Sequence, residues 1–227
     1  MQALSENTIK NQVYRSIFTD IINNQFHFDQ YLTERELMEK YHVSRAPVRE
    51  ALMQLRSDKF IISVPRHGYR IRRPNHKELM EIAAFRSCLE CKFLEEYHGR
   101  LTNENIEELR KLCESYDNVS LESDFLRSWS LNREFHLKLF SYYGNTYCLN
   151  ALADAIDQQV VFYVQIMQKQ ILSADFHFAM LDYIEKGNIH TASTLLRADI
   201  EKIPAVDDSF FDKKKEKTFE NAWYSLC

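Results

Sequence analysis

Residues 32–73, LTERELMEKYHVSRAPVREALMQLRSDKFIISVPRHGYRIRR, decide the fold of the first part of this chain. Thr33 caps a helix and Glu36, three residues on, completes a capping box. Leu32 and Leu37 supply the hydrophobic staple around it. Ser44 caps a second helix, with Val43 and Val48 as its staple. Pro47 is tolerated there because in the first turn its missing N–H has no intrahelical acceptor to lose. Tyr41-His42 leaves room only for a tight turn, and two short helices so joined form a helix-turn-helix.

The second helix carries its purpose on its faces. Val48, Ala51, Leu52 and Leu55 fall at i, i+3, i+4 and i+7 and form the inner face. Arg45 and Arg49, four apart, share another face near the N-terminus, where a recognition helix reads base edges. Arginine is the side chain best matched to guanine in the major groove. A wing follows: Phe60–Val64 is β-prone, Pro65-Arg66-His67-Gly68 is turn chemistry, and Tyr69–Arg72 alternates apolar with basic. Arg66 and His67 sit at the tip, placed for a minor groove or for phosphates. From Tyr31 to Pro74 ten cations face five anions, a charge of +5 in a chain whose total is −4, so the rest carries −9. A basic module on an acidic body is the electrostatic footprint of local DNA binding.

The 227 residues leave room for one small domain and one larger one. No apolar run approaches membrane length, and the polar start MQALSENTIK predicts no signal peptide, so the expected location is the cytoplasm, with no membrane partner. Five cysteines, an odd number, predict reduced thiols. Cys88-x-x-Cys91 falls inside a predicted helix without a second pair, which favours helix packing over a zinc or redox role.

Beyond the wing the fold class is mainly α. Asn75 caps a helix with Glu78 as partner, and helices are predicted over roughly 76–98, 103–117, 121–143, 146–171, 174–186 and 189–203. Gly144 and Gly187 stand just past helix ends. The apolar stripes of these helices are interrupted. Arg86 breaks the first, Asn132 and His136 the third, His177 the fifth and Asp199 the last. Buried polar groups need partners, and several helices offering them to one interior predict a polar cavity, a common place for ligand and metal sites in a bundle. Arg86 wants an anion: Glu90, a neighbouring helix, or the acid group of a small ligand. In the tail, Asp212–Lys217 is a solvated charge run, whereas Phe210, Phe211, Phe219, Trp223 and Tyr224 suit packing on the bundle or a partner subunit.

The string VSRAPVREAL, followed by a hairpin with PRHG at its tip, resembles the N-terminal domain of GntR-type bacterial transcription regulators. The resemblance implies that Arg35, Arg45 and Arg49 contact an operator and that His67 and Gly68 approach the minor groove. Ser44 and Arg66 complete the expected DNA-binding set. Lys59 departs from the glycine frequent at its position in that family, a change that bears on the local turn. Residues 76–203 resemble the FCD effector-binding domain of the FadR branch, most sharply at NREFH, at Gly144-Asn145 and at FHFAMLDYIEKGNIHTASTLLRADI. Many members hold a divalent metal with an aspartate and three histidines, and the matching positions here are Asn132, His136, His177 and Asp199. Asn132 stands where the family has aspartate and Asp199 where it has the last histidine. The site is then either lost, as in members that bind an acyl-CoA without metal, or rebuilt with its carboxylate moved. Two imidazoles and a carboxylate suffice as a facial set for zinc, iron, manganese or nickel. Effectors of this branch are commonly organic acids, so Arg86, Asn132, His136, His177 and Asp199 form the expected effector set.

These readings converge on a winged helix-turn-helix DNA-binding domain over 1–74 and an all-helical effector-binding and dimerisation domain over 75–227. The expected protein is a homodimeric, ligand-responsive regulator that reads an inverted-repeat operator in double-stranded DNA. A metal-dependent hydrolase fused to a DNA module is the enzymatic rival, and the sequence offers it no general base; no catalytic residues are assigned. A DNA-binding architectural protein is the other rival, and its bundle stripes would be uniformly apolar.

Overall fold

Thr8 opens the structure by accepting a hydrogen bond from the Asn11 amide, capping α1 (Ile9–Ile22). In this computed structural model residues 8–23, 25–26, 30–72, 75–117, 125–166 and 174–202 are described. α1 is not among the helices expected from the sequence. Its signal lies in Val13, Tyr14, Ile17, Phe18, Ile21 and Ile22, which recur at helical spacing and are all buried.

α1 packs on α3 (Arg45–Ser57), the second helix of the predicted helix-turn-helix, whose first helix is α2 (Glu34–Tyr41). The capping box on α2 is present in full, with Thr33 and Glu36 bonded reciprocally. His42 turns the chain in the left-handed conformation at φ 54°. Ser44 occupies the cap position of α3 with extended backbone, but its side chain makes no capping bond, so the expected cap is positional only. Val48, Ala51, Leu52 and Leu55 are fully buried, as their spacing requires. Burying each such side chain contributes roughly 1.5–3 kcal/mol relative to exposure.

The wing is an antiparallel pair, β1 (Ile61–Val64) and β2 (Gly68–Ile71), with Ile61 opposite Ile71 and Ile62 opposite Arg70. The period of two puts Ile61 and Ile71 in the core and Ile62 with Arg70 on the other face. Lys59, where the related domains often carry glycine, adopts φ 62° as it leads from α3 into β1.

The helical body comprises α4 (His76–Tyr97) with a 3-10 turn at His98–Arg100, then α5 (Asn103–Asp117), α6 (Phe125–Ser141), α7 (Thr146–Ile166), α8 (Asp175–Glu185) and α9 (Ile189–Ile200). Asn75 caps α4 by accepting from the Glu78 amide at 2.7 Å. All six predicted helices are present within their expected ranges. The predicted helical stretches 121–124 and 167–171, and the tail from 203, lie outside the described residues. α4 is the central member. It packs on α9 along one side and on α7 along another, while α8 and α9 form a hairpin and α6 lies between α5 and α7. Cys88 is exposed and Cys91 buried, its thiol 3.5 Å from the Ser193 carbonyl, so the Cys-x-x-Cys spacing reflects helix packing.

Candidate functional site

Two places concentrate chemistry. The first is the exposed end of the winged domain. Arg49 is exposed on α3 and has no hydrogen-bond or ion-pair partner among the described residues. Arg45 is exposed too, its Nε 2.5 Å from Glu34 Oε2, and Arg35 pairs with Glu39 at 3.0 Å. Ion pairs made by exposed guanidinium groups are weak, so both remain available to phosphates or bases. At the wing tip Arg66 takes a left-handed backbone at φ 67°, and the His67 ring stacks on Tyr31 with centroids 4.8 Å apart. Tyr31, absent from the expected set, therefore fixes the direction in which His67 projects.

Gly68 has a structural reason to be glycine. Its φ is +105°, and a Cβ there would lie 2.5 Å from the Leu32 carbonyl oxygen. That oxygen accepts from the Tyr69 amide, and Leu32 donates back to Tyr69, so the wing is stitched to the segment before α2 by two bonds of 2.9 and 2.7 Å.

The two basic residues of β2's end divide in role. Arg70 has no partner among the described residues, while Arg72 is ion-paired with Glu78 at the start of α4. Replacing Arg70 with alanine is expected to reduce the salt slope of DNA binding by about one phosphate contact. Arg72→Ala should leave it unchanged, which fluorescence-anisotropy titrations at several salt concentrations will show.

The second place is a polar centre inside the helical body. His136 from α6, His177 from α8 and Asp199 from α9 bring one ligand atom each within 4.8 Å of one another. His136 Nε2 is 3.3 Å and His177 Nε2 3.1 Å from the same oxygen, Asp199 Oδ2. Both imidazoles are buried; the His177 ring stacks on Phe135 with centroids 4.0 Å apart, and the His136 ring stands edge-on to that of His177. Asn132, one turn before His136, is also buried.

Behind His136 a second layer follows. Its Nδ1 lies 2.7 Å from Glu90 Oε2. Arg86 Nε donates to Glu90 Oε1 at 2.8 Å, and Arg86 Nη1 donates to Gln159 Oε1 at 2.7 Å. Arg86 thus finds its anion in Glu90, one of the partners its position in the stripe allowed. Arg86 Nη2 and Gln159 Nε2 are buried without a hydrogen-bond partner among the described residues. Gln159 was legible only as a polar break in the apolar run of α7.

Burial alone would push the Glu90 carboxyl up, but Arg86 and His136 outweigh it and hold it below the usual carboxylate range. Burial likewise works against an ionised Asp199, yet His177 and His136 hold its carboxyl far below its ordinary value. His136 is disfavoured as a cation by burial and by Arg86, and the carboxylates of Glu90 and Asp199 raise it overall. The donor set, two imidazole nitrogens and an ionised carboxylate from three helices, fits a divalent transition metal by chemistry and convergence.

Comparison with known proteins places both sites in context. The model of the bacterial regulatory proteins, gntR family, matches residues 9–71, and that of the FCD domain matches residues 81–202. The first match begins where α1 begins, so α1 is an integral part of the winged domain. The HTH-type transcriptional repressor GlaR of Escherichia coli is 25% identical over 188 residues, which span 81% of this chain and 84% of that protein. A GntR transcriptional regulator from Rhodococcus sp. RHA1 superposes with a TM-score of 0.68 at 20% identity, covering 85% of this chain and 93% of that one. E. coli McbR/YncC superposes at 0.66 and 17% identity, over 86% and 95%. These structures share the fold.

Proposed function

We infer function from the family to which this chain belongs, the bacterial GntR regulators that carry an FCD domain: it is a DNA-binding transcription regulator whose operator binding is controlled by a small ligand in the helical domain. The observation that carries the DNA-binding reading is the recognition helix itself. Arg45 and Arg49 project from its N-terminal half and both are exposed, Arg45 within an ion pair with Glu34. We propose that both, with Arg35, Ser44, Arg66 and His67, contact an inverted-repeat operator, and that the chain acts as a homodimer and as a repressor in the cytoplasm. Two-fold proteins read such repeats with two recognition helices. We propose that the DNA-binding domain spans 1–74 and the effector-binding and dimerisation domain 75–227. Among the described residues no helix is long and apolar enough to cross a membrane.

For the helical domain we propose a divalent metal held by His136, His177 and Asp199, with Asn132 as a further oxygen ligand, and an organic acid as effector. The metal would supply a Lewis-acidic point for the effector's carboxylate. Arg86 Nη2 and Gln159 Nε2, buried donors without partners among the described residues, suit the same kind of ligand. A hydrolase is not favoured, because Glu90 and Asp199, the carboxylates at this centre, are both engaged by cationic or imidazole groups rather than free to take a proton.

The test is a mobility-shift titration on the operator recovered by selection from random double-stranded DNA. Arg49→Ala is expected to weaken binding by ~1–3 kcal/mol, roughly five- to 150-fold, and to relax preference at one base pair per half-site. Undiminished, equally selective binding would refute the docking.

A further inference from the structure

We propose that Glu90 is a positioning residue for the metal centre: it fixes the His136 ring with Nδ1 toward itself and Nε2 toward Asp199 and His177, while Arg86 serves as its counter-ion. The inference rests on the metal reading above and adds a residue that the sequence placed only as a partner for Arg86.

The geometry argues for more than charge neutralisation. An arginine and a glutamate four apart on one helix, built only to cancel each other, would favour the two-pronged pairing that guanidinium and carboxylate planes allow. Here Arg86 gives Glu90 only its Nε, at 2.8 Å, and sends Nη1 to Gln159 instead. That leaves Glu90 Oε2 to His136 Nδ1 at 2.7 Å. Both carboxylate oxygens are therefore committed in different directions, one to the cation and one to the imidazole, in a setting where Glu90 is only 2% exposed.

The consequence falls on His136. Of its two nitrogens, Nδ1 is held by Glu90 and Nε2 faces Asp199 at 3.3 Å. A half-turn of the ring would strand Glu90 Oε2 in a buried site and point carbon at Asp199. A carboxylate that accepts the far N–H of a ligating histidine fixes the ring and makes its other nitrogen a better donor. His177 has no such partner among the described residues; its ring stacks on Phe135 instead. The two imidazoles are thus oriented by different means, one by a hydrogen bond to charge and one by a ring face.

The experiment uses the full chain and zinc alone, titrated in competition with a chromophoric chelator. Glu90→Gln is expected to weaken zinc binding about ten- to hundred-fold, the usual effect of losing such a supporting group. Because that variant leaves Arg86 as a buried cation without its anion, the double variant Arg86→Met with Glu90→Gln is measured beside it, with circular dichroism to confirm native helicity. It should show the same loss. In 1H–15N spectra of the zinc-loaded parent, the His136 Nδ1 proton should exchange slowly with water, and in the double variant it should exchange fast. A natively folded double variant that binds zinc as tightly as the parent, with an unchanged His136 signal, overturns the role of Glu90 alone. A parent chain that binds no zinc overturns the metal reading, and the role of Glu90 falls with it.

Discussion

Gly68→Ala is expected to detach the wing from the rest of the DNA-binding domain. Two costs combine at this position. The backbone sits at φ +105°, a conformation that side-chain-bearing residues rarely adopt, and the added Cβ would lie 2.5 Å from the Leu32 carbonyl oxygen. The first costs of order 1–3 kcal/mol. The second forces a backbone atom to move, at a similar ~1–3 kcal/mol. The obstructing atom is itself bonded to the Tyr69 amide, so relief of the clash breaks the bridge that holds β2 to the segment before α2. Gly187 is the control: its φ is also positive, at +71°, but nothing lies within 4 Å of its Cβ position, so alanine there should cost only ~1–2 kcal/mol. Hydrogen-exchange mass spectrometry distinguishes the two. The amides of Leu32 and Tyr69 should lose protection in Gly68→Ala and keep it in Gly187→Ala, while the helical domain exchanges as in the parent. Operator binding should fall sharply in the first variant and stay unchanged in the second. Equal protection of the Leu32 and Tyr69 amides in both variants would show that the bridge does not depend on glycine.

Gly68 also marks the limit of what sequence could carry. PRHG reads as a turn from composition, but that its last residue must lack a side chain follows from Leu32, thirty-six positions earlier, crossing behind it. The capping box at Thr33, the inner face of α3 and the alternation of the wing were all legible, because each is a local pattern in which one segment declares its own conformation and buried side. α1 is legible in the same way, from its stripe of six buried apolar residues. Within the helical body, interrupted stripes pointed to Arg86, Asn132, His136, His177 and Asp199 as inward-facing. The structure brings His136 and His177 onto one oxygen of Asp199 and sets Arg86 a layer behind, on Glu90. That layering was not legible. Stripe position says that a residue points inward, not which of several inward residues it meets. Glu90 lies on α4 beside Arg86, and Arg86 reaches Gln159 on α7 across 73 positions of sequence. Ser44 illustrates the converse: the right residue type at the right place, with its hydroxyl left out of the cap.

A bound metal should change the stability of the helical body by several kcal/mol. The unfolded chain has no assembled site, so a metal that binds the folded body stabilises it by linkage, by about 4 kcal/mol at a thousandfold excess over its dissociation constant. For a body of this size each kcal/mol moves the melting temperature by roughly 2–4 °C, so zinc should raise it by about 8–16 °C and a chelator should reverse the rise. His136→Ala combined with His177→Ala should abolish the response. That variant will start from a lower melting temperature, because Asp199 loses both of the groups that compensate its burial. The diagnostic is therefore the change on adding zinc, read by differential scanning calorimetry, and not the absolute midpoint. Exchanging the two altered ligands, Asn132→Asp with Asp199→His, keeps the ligand count and the single carboxylate while returning the carboxylate to α6. It should bind zinc at least as tightly as the parent. If the parent shows no zinc-dependent shift and the exchanged variant does, the site has been lost by substitution. The effector would then have to be held by Arg86, Gln159 and the two histidines without an ion.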